Sequence, residues 1–156
     1  MSLRIGMIGL DTSHVVAFTE TLNDPSHPDH IPGAKVVVAY PAGSPDVPIS
    51  RDRVAGFTGQ LRDRFSVKIV DSCQAVAEAC DAVFIESVDG RPHLQQLRAV
   101  LPFKKPVYID KPLTHSTTDA REMCRLAREA GVPLMSCSTT RYWPALGDAI
   151  ADDRLG

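Results

Sequence analysis

The chain has 156 residues, with 17 Lys+Arg against 19 Asp+Glu and a formal net charge of −2, a length that suits one domain burying roughly two-thirds of its unfolded surface. Hydrophobic residues at 44% and charged residues at 23% exclude a disordered or collagen-like chain, and the near-neutral charge gives no electrostatic basis for binding nucleic acid or an anionic membrane. No apolar run approaches the roughly 20 residues that span a bilayer, and Met1-Ser2-Leu3-Arg4 lacks a signal-peptide pattern.

Leu3 to Gly9 is an apolar run that reads as a strand and stops at glycine. Val15 to Leu22 reads as a helix, with Thr12 or Ser13 available as N-cap. Pro25, Pro28 and Pro32 make 23–33 a loop. Ala34 to Ala39 is apolar and β-branched, a strand buried on both faces. A second proline-rich loop runs from Tyr40 to Pro48, and Arg51 to Arg64 is helical despite Gly56 and Gly59. Val67 to Val70 is a strand, Ser72 caps a helix running to Ala79, and Ala82 to Ile85 is the next strand. Pro92 to Val100 is a helix with proline in its first turn, followed by a strand from Val107 to Ile109. Ser116-Thr117-Thr118-Asp119 resembles a capping box, with Asp in place of Glu, and opens a helix that Gly131 ends after Ala130. Pro133 to Cys137 is the last strand, and Pro144 to Arg154 the last helix, with Gly156 beyond its end.

Strand and helix alternate six times with no run of successive strands, which predicts an α/β fold: a doubly wound parallel sheet with helices on both faces. The expected strand order is that of the Rossmann dinucleotide-binding fold, 3-2-1-4-5-6, with ligands at the carboxyl ends of the strands near the switch point between strands 1 and 4. Cys73, Cys80, Cys124 and Cys137 are scattered without metal spacing, so reduced, packed thiols in a cytoplasmic protein are expected.

The loops at those carboxyl ends carry the candidate chemistry. A dinucleotide fingerprint would put glycines at 9, 11 and 14; only Gly9 is present, with Asp11 and His14 in the other two places. Two readings of Asp11 stand side by side. Its carboxylate faces the diphosphate, a repulsion of about 4 kcal/mol at about 4 Å and an effective dielectric of 20, or it caps the helix N-terminus, which favours anionic groups. The second loop has no ribose-binding acid before Asp46; Tyr40 is placed to stack on adenine, and Arg51 or Arg53 to meet a 2′-phosphate, or both arginines lie on a solvated helix start. In the third loop Glu86 ends a buried strand, where acids rarely stand unpaired, and Arg91 and His93 are its nearest partners in sequence. The fourth loop puts Asp110 and Lys111 at the end of a central strand, with Pro112 holding the exit rigid. A lysine there can donate a hydrogen bond or a proton to a hydroxyl or carbonyl oxygen. His27, Asp29 and His30 have the residue types of metal ligands but sit in a proline-rich loop and read as surface residues. No metal site is expected.

Arg4-Ile5-Gly6-Met7-Ile8-Gly9, Asp110-Lys111-Pro112-Leu113, and Ala130 to Met135 followed by Arg141-Tyr142-Trp143-Pro144 together resemble the N-terminal nucleotide-binding domain of the Gfo/Idh/MocA oxidoreductases. Asp110 stands where that family has glutamate in Glu-Lys-Pro-Leu. The resemblance implies NAD or NADP as cofactor, with Gly9, Asp11, Thr12, Ser13, His14, Tyr40, Ser87, Val88, Asp89, Lys111 and Arg141 around it. Ser87, Val88 and Asp89 fall where the family has Thr-Pro-Asn beside the nicotinamide. Lys111 would be catalytic, contacting the reacting hydroxyl; His93, in the third-loop cluster, reads either as part of a structural salt bridge or as a substrate contact. The resemblance further implies that 1–156 is the dinucleotide-binding domain alone. A second domain supplying the substrate pocket, the usual catalytic histidine and the oligomer interface lies outside this chain, so this chain alone is expected to be inactive.

Two functions follow as expectations. The first is an NAD(P)-dependent oxidoreductase of a sugar, polyol or related hydroxy compound, represented by its cofactor-binding domain. The second is a non-catalytic small-molecule or protein-binding module that keeps the fold without the cofactor, as the altered fingerprint allows.

Overall fold

The computed structural model describes residues 2–152. Six strands form one sheet: β1 (Leu3–Ile8), β2 (Ala34–Tyr40), β3 (Lys68–Ile69), β4 (Ala82–Ile85), β5 (Val107–Asp110) and β6 (Leu134–Cys137). Their order is β3-β2-β1-β4-β5-β6 and every neighbouring pair is parallel, as the alternation predicts. Among the described residues five α-helices join them, α1 (His14–Asn23), α2 (Pro48–Phe65), α3 (Cys73–Ala79), α4 (His93–Val100) and α5 (Thr117–Ala130), and α6 (Pro144–Ile150) follows β6. The predicted end of the last helix at Arg154, and Gly156 beyond it, lie outside the described residues.

Two buried clusters hold the layers together, one on each face of the sheet. Ile5 and Met7 of β1 pack with Val36 and Ala39 of β2 against Val15 of α1 and Leu61 of α2. On the opposite face Ile8, Val38, Val83, Ile85 and Ile109 meet Val76 of α3, Leu97 of α4 and Met123 of α5. Alternation along β1 sends neighbouring side chains to opposite layers, and each fully buried Leu, Ile or Met contributes about 1.5–3 kcal/mol. Gly6 lets α3 lie close: a Cβ there would stand 2.5 Å from Val76 Cγ1.

Helix ends follow the local chemistry. Ser72 and Ser116 cap α3 and α5 by accepting from Ala75 N–H at 3.2 Å and Asp119 N–H at 3.3 Å, and Gly131 closes α5 at φ +66°. At α1 the expectation is met only in position: Ser13 is the N-cap residue, but its side chain makes no capping bond. Helix α2 begins three residues before the expected start, because Pro48 supplies a ready first-turn φ and needs no N–H partner. It runs through both glycines to Phe65, held by burial of Leu61. The cysteines are free, and burial pushes the Cys80 thiol up to about 11.

Candidate functional site

The carboxyl ends of β1, β2, β4 and β5 converge at the switch point, where β1 lies between β2 and β4. Gly9 leaves β1 with φ +88°. Its N–H donates to Tyr40 O at 3.0 Å, and a Cβ on it would overlap Ser87 Oγ and backbone. The turn after β1 is thus pressed against the loop after β4, and only glycine fits.

Asp11 corrects both sequence readings. Its side chain is buried and turned inward, accepting from Ser50 Oγ at 2.6 Å and Val88 N–H at 3.0 Å. Ser50 Oγ in turn accepts from Ser44 N–H at 2.7 Å. The carboxylate neither caps α1 nor faces outward from the turn, because these polar groups of the first turn of α2 and the third loop satisfy it from within. The expected repulsion of a diphosphate loses its basis. Thr12 is also buried, its hydroxyl accepting from His14 N–H at 3.3 Å, while Ser13 is exposed at the mouth of the turn.

The third loop is braced. Asp89 accepts from Ser44 Oγ at 2.6 Å and pairs with Arg91 at 2.7 Å, and Arg91 reaches Asp46 at 2.8 Å. The Arg91 guanidinium, helped by Ser44, holds the Asp89 carboxyl well below the usual carboxylate range against a smaller opposing effect of burial. Val88 is half-buried, and Ser87 is buried with its hydroxyl accepting from Gln96 Nε2 at 2.8 Å. His93, expected at the substrate, is instead sealed in the interior, its ring nitrogens 2.8 Å from Ser87 O and 3.0 Å from Leu113 O. It ties the loop after β4 to the loop after β5 and has no face left for a ligand.

Glu86 has neither of its expected partners, since Arg91 and His93 are engaged elsewhere. Its side chain is buried and both carboxylate oxygens lack a hydrogen-bond partner. Burial first, then the nearby Asp110 and Asp11 carboxyls, push its carboxyl well up, with Lys111 opposing. Beside it, Asp110 Oδ2 lies 2.7 Å from His14 Nδ1, and Tyr108 Oη donates toward Asp110 Oδ1 at 3.3 Å and Cys137 O at 3.2 Å. Burial and then Asp110 raise the Tyr108 phenol. The His14–Asp110 pair joins residues 96 apart in sequence, and neither residue alone signals it.

Lys111 is exposed at the end of β5 and takes part in none of the ion pairs among the described residues. A salt bridge to Asp110 or Glu86 that merely pins the loop is therefore not what holds it. Tyr40 is half-buried and packs against the core. Arg51 pairs with its neighbour Asp52, Arg53 is exposed and in none of the ion pairs among the described residues, and Arg141 stands exposed on a short 3-10 turn after β6, Thr139–Tyr142. His27 accepts locally from Asp29 N–H at 3.1 Å, and the His30 ring lies 3.0 Å from Thr21 O of α1, so the three do not converge. Among the described residues one group has metal-ligand proximity, and it is unexpected from the sequence: His14, Glu86 and Asp110.

Residues 3–137 match an oxidoreductase family with an NAD-binding Rossmann fold, Gfo/Idh/MocA. Inositol 2-dehydrogenase 1 of Mycolicibacterium vanbaalenii is 32% identical over 102 residues, 60% of this chain and 30% of that protein. The 1,5-anhydro-D-fructose reductase of Ensifer adhaerens is 40% identical over 79 residues, 49% of this chain and 23% of that protein. Among solved structures, myo-inositol dehydrogenase of Lactobacillus casei in complex with NAD(H) and myo-inositol superposes with a TM-score of 0.68 at 20% identity, covering 97% of this chain and 42% of the other. A dehydrogenase of Clostridium difficile gives a TM-score of 0.69 at 21% identity, covering 97% and 44%. The matches thus span less than half the length of these relatives.

Proposed function

The chain belongs to the Gfo/Idh/MocA oxidoreductase family, and on that premise we propose that it is the dinucleotide-binding domain of an NAD(P)-dependent oxidoreductase acting on a polyol, sugar or related hydroxy compound. The observation that carries this reading is Lys111, exposed and outside every ion pair among the described residues, at the carboxyl end of a central strand beside the switch point. The turn suits an anionic dinucleotide: Gly9 is at positive φ, the first turn of α1 carries no acidic residue, and Asp11 is turned inward.

In this reading the positive-φ turn at Gly9 lets the diphosphate approach, Ser13 and the amino end of α1 hold it through backbone N–H groups, and Ser87 to Asp89 form the wall beside the nicotinamide. The bound cofactor supplies the hydride chemistry. Lys111 hydrogen-bonds the substrate oxygen and exchanges its proton as the C–H bond is made or broken. Substrate closure and assembly into an oligomer fall to a further domain. Support for such a domain comes from the exposed apolar side chains of Tyr142, Trp143 and Ile150 toward the end of the described chain. The free thiols suit a reducing cytoplasmic setting, and among the described residues no helix is long and apolar enough to cross a membrane. The second reading, a binding module without the cofactor, is favoured by one observation: of the three fingerprint positions only Gly9 is glycine.

The test is turnover of an inositol and sugar panel with NAD+ and NADP+ by the enzyme containing this domain. Lys111→Met lowers turnover by roughly 10²-fold or more with the fold intact, and Lys111→Arg rescues little because guanidinium is a poor proton donor of different shape. Near-normal turnover in both variants overturns the assignment.

A further inference from the structure

Glu86 poses a chemical question that the dinucleotide reading leaves unanswered. A carboxyl sealed in the interior with neither oxygen hydrogen-bonded is costly as an anion unless a cation meets it. Its surroundings supply donors: one ring nitrogen of His14 and one oxygen each from Glu86 and Asp110 lie within 4.8 Å of one another. They come from three separate elements, the start of α1 and the ends of β4 and β5.

We infer that His14, Glu86 and Asp110 form a binding site for one divalent transition-metal ion. The donor set is one imidazole nitrogen and two carboxylate oxygens, which suits zinc, iron(II), cobalt(II) or manganese better than magnesium or calcium, whose sites are built from oxygen alone. Two carboxylates neutralise a divalent charge, so the filled site carries no net charge into the interior. Donors around such an ion at about 2.0–2.2 Å stand about 3–4 Å apart, and the trio's donor atoms already lie within 4.8 Å of one another. His14 Nδ1 and Asp110 Oδ2, now 2.7 Å apart, share a hydrogen that the ion displaces, and this hydrogen and any proton on the Glu86 carboxyl leave to solvent. Tyr108 already holds the other Asp110 oxygen, the outer hydrogen bond that fixes a ligating carboxylate.

The site has one open side. Asp110 and Glu86 are buried, but the His14 side chain is 36% exposed, so an ion held by three protein ligands keeps a position for water or a substrate oxygen. Lys111, next to Asp110 in the chain, is exposed and takes part in none of the ion pairs among the described residues. None of this rests on dinucleotide binding, and the test needs no cofactor.

The chain, stripped with a chelator, is titrated with Co2+ by visible absorption and with Zn2+ by calorimetry. One ion binds per chain, and Zn2+ raises the melting temperature. Glu86→Gln, which keeps the side-chain shape, weakens binding at least tenfold, as do Asp110→Asn and His14→Ala. His30→Ala, in the proline-rich loop between α1 and β2, changes nothing. Melting of each variant without metal reports its fold, and His14→Ala, at the open side, carries the test if either carboxyl variant fails to fold. Absence of Co2+ binding, binding unaltered by the three substitutions, or binding lost in His30→Ala would each overturn the inference.

Discussion

Replacing Asp11 by alanine tests whether that carboxylate is a structural brace or faces the ligand. The side chain is buried and joins three loops: it accepts from Ser50 Oγ at 2.6 Å and from Val88 N–H at 3.0 Å, and Ser50 is tied to Ser44 N–H. Hydrogen bonds to a charged acceptor contribute about 1.5–3 kcal/mol each, and the buried Ser50 hydroxyl would lose its acceptor. Because the two bonds share one group their losses do not add fully, so Asp11→Ala costs about 3–4 kcal/mol. For a domain of this size that lowers the melting temperature by about 6–15 °C. Asp11→Asn keeps an acceptor for Val88 N–H and costs about half as much. Urea and thermal unfolding of the chain, followed by circular dichroism at pH 7, measure both, and NAD+ titration of the same samples reads the site. An Asp11→Ala variant as stable as the parent and tighter for NAD+ would refute the brace and restore the repulsion reading.

Three further outcomes follow from named contacts. Asp89 is held below the usual carboxylate range by Arg91 and Ser44, so its contribution is present above the unfolded value near pH 4 and is lost as pH falls through the lower folded value. Asp89→Asn therefore costs about 1–2 kcal/mol at pH 7 and flattens the loss of stability between about pH 5 and pH 2; an unchanged acid limb contradicts the pairing. Gly9→Ala combines a positive φ with overlap on Ser87 and costs about 2–4 kcal/mol, read by urea unfolding, whereas a cost below about 0.5 kcal/mol would mean that the turn relaxes freely. The 156-residue chain with either cofactor shows no steady turnover of polyols or sugars, and measurable steady turnover would show that no second domain is needed.

The strand–helix alternation made the architecture legible, because each period carries its own local marks: β-branched runs for strands, Ser72 and Ser116 as caps, Gly131 as a stop. The position of Lys111 at the end of β5 was equally legible, since a strand end followed by proline places it without knowledge of any partner. The inward turn of Asp11 was not, because its partners lie 39 and 77 residues away and a local reading sees only the helix start and an imagined ligand. His93 failed for a related reason. Its neighbours in sequence suggest a site, while the carbonyls that sequester it belong to two loops brought together by β4 and β5 pairing. The His14–Glu86–Asp110 group is legible only in one part: an acid ending a buried strand announces a missing partner, and only the sheet order says where to look.

The most direct test of the central claim is an NMR titration of the isotope-labelled chain with NAD+ and, separately, NADP+, reading backbone amide shifts. Binding at the switch point predicts saturable shifts concentrated at Gly9 to His14, Ser87 to Asp89 and Lys111, with one cofactor producing them at lower concentration than the other. No shifts with either dinucleotide, or shifts confined to residues remote from these three segments, would contradict the account.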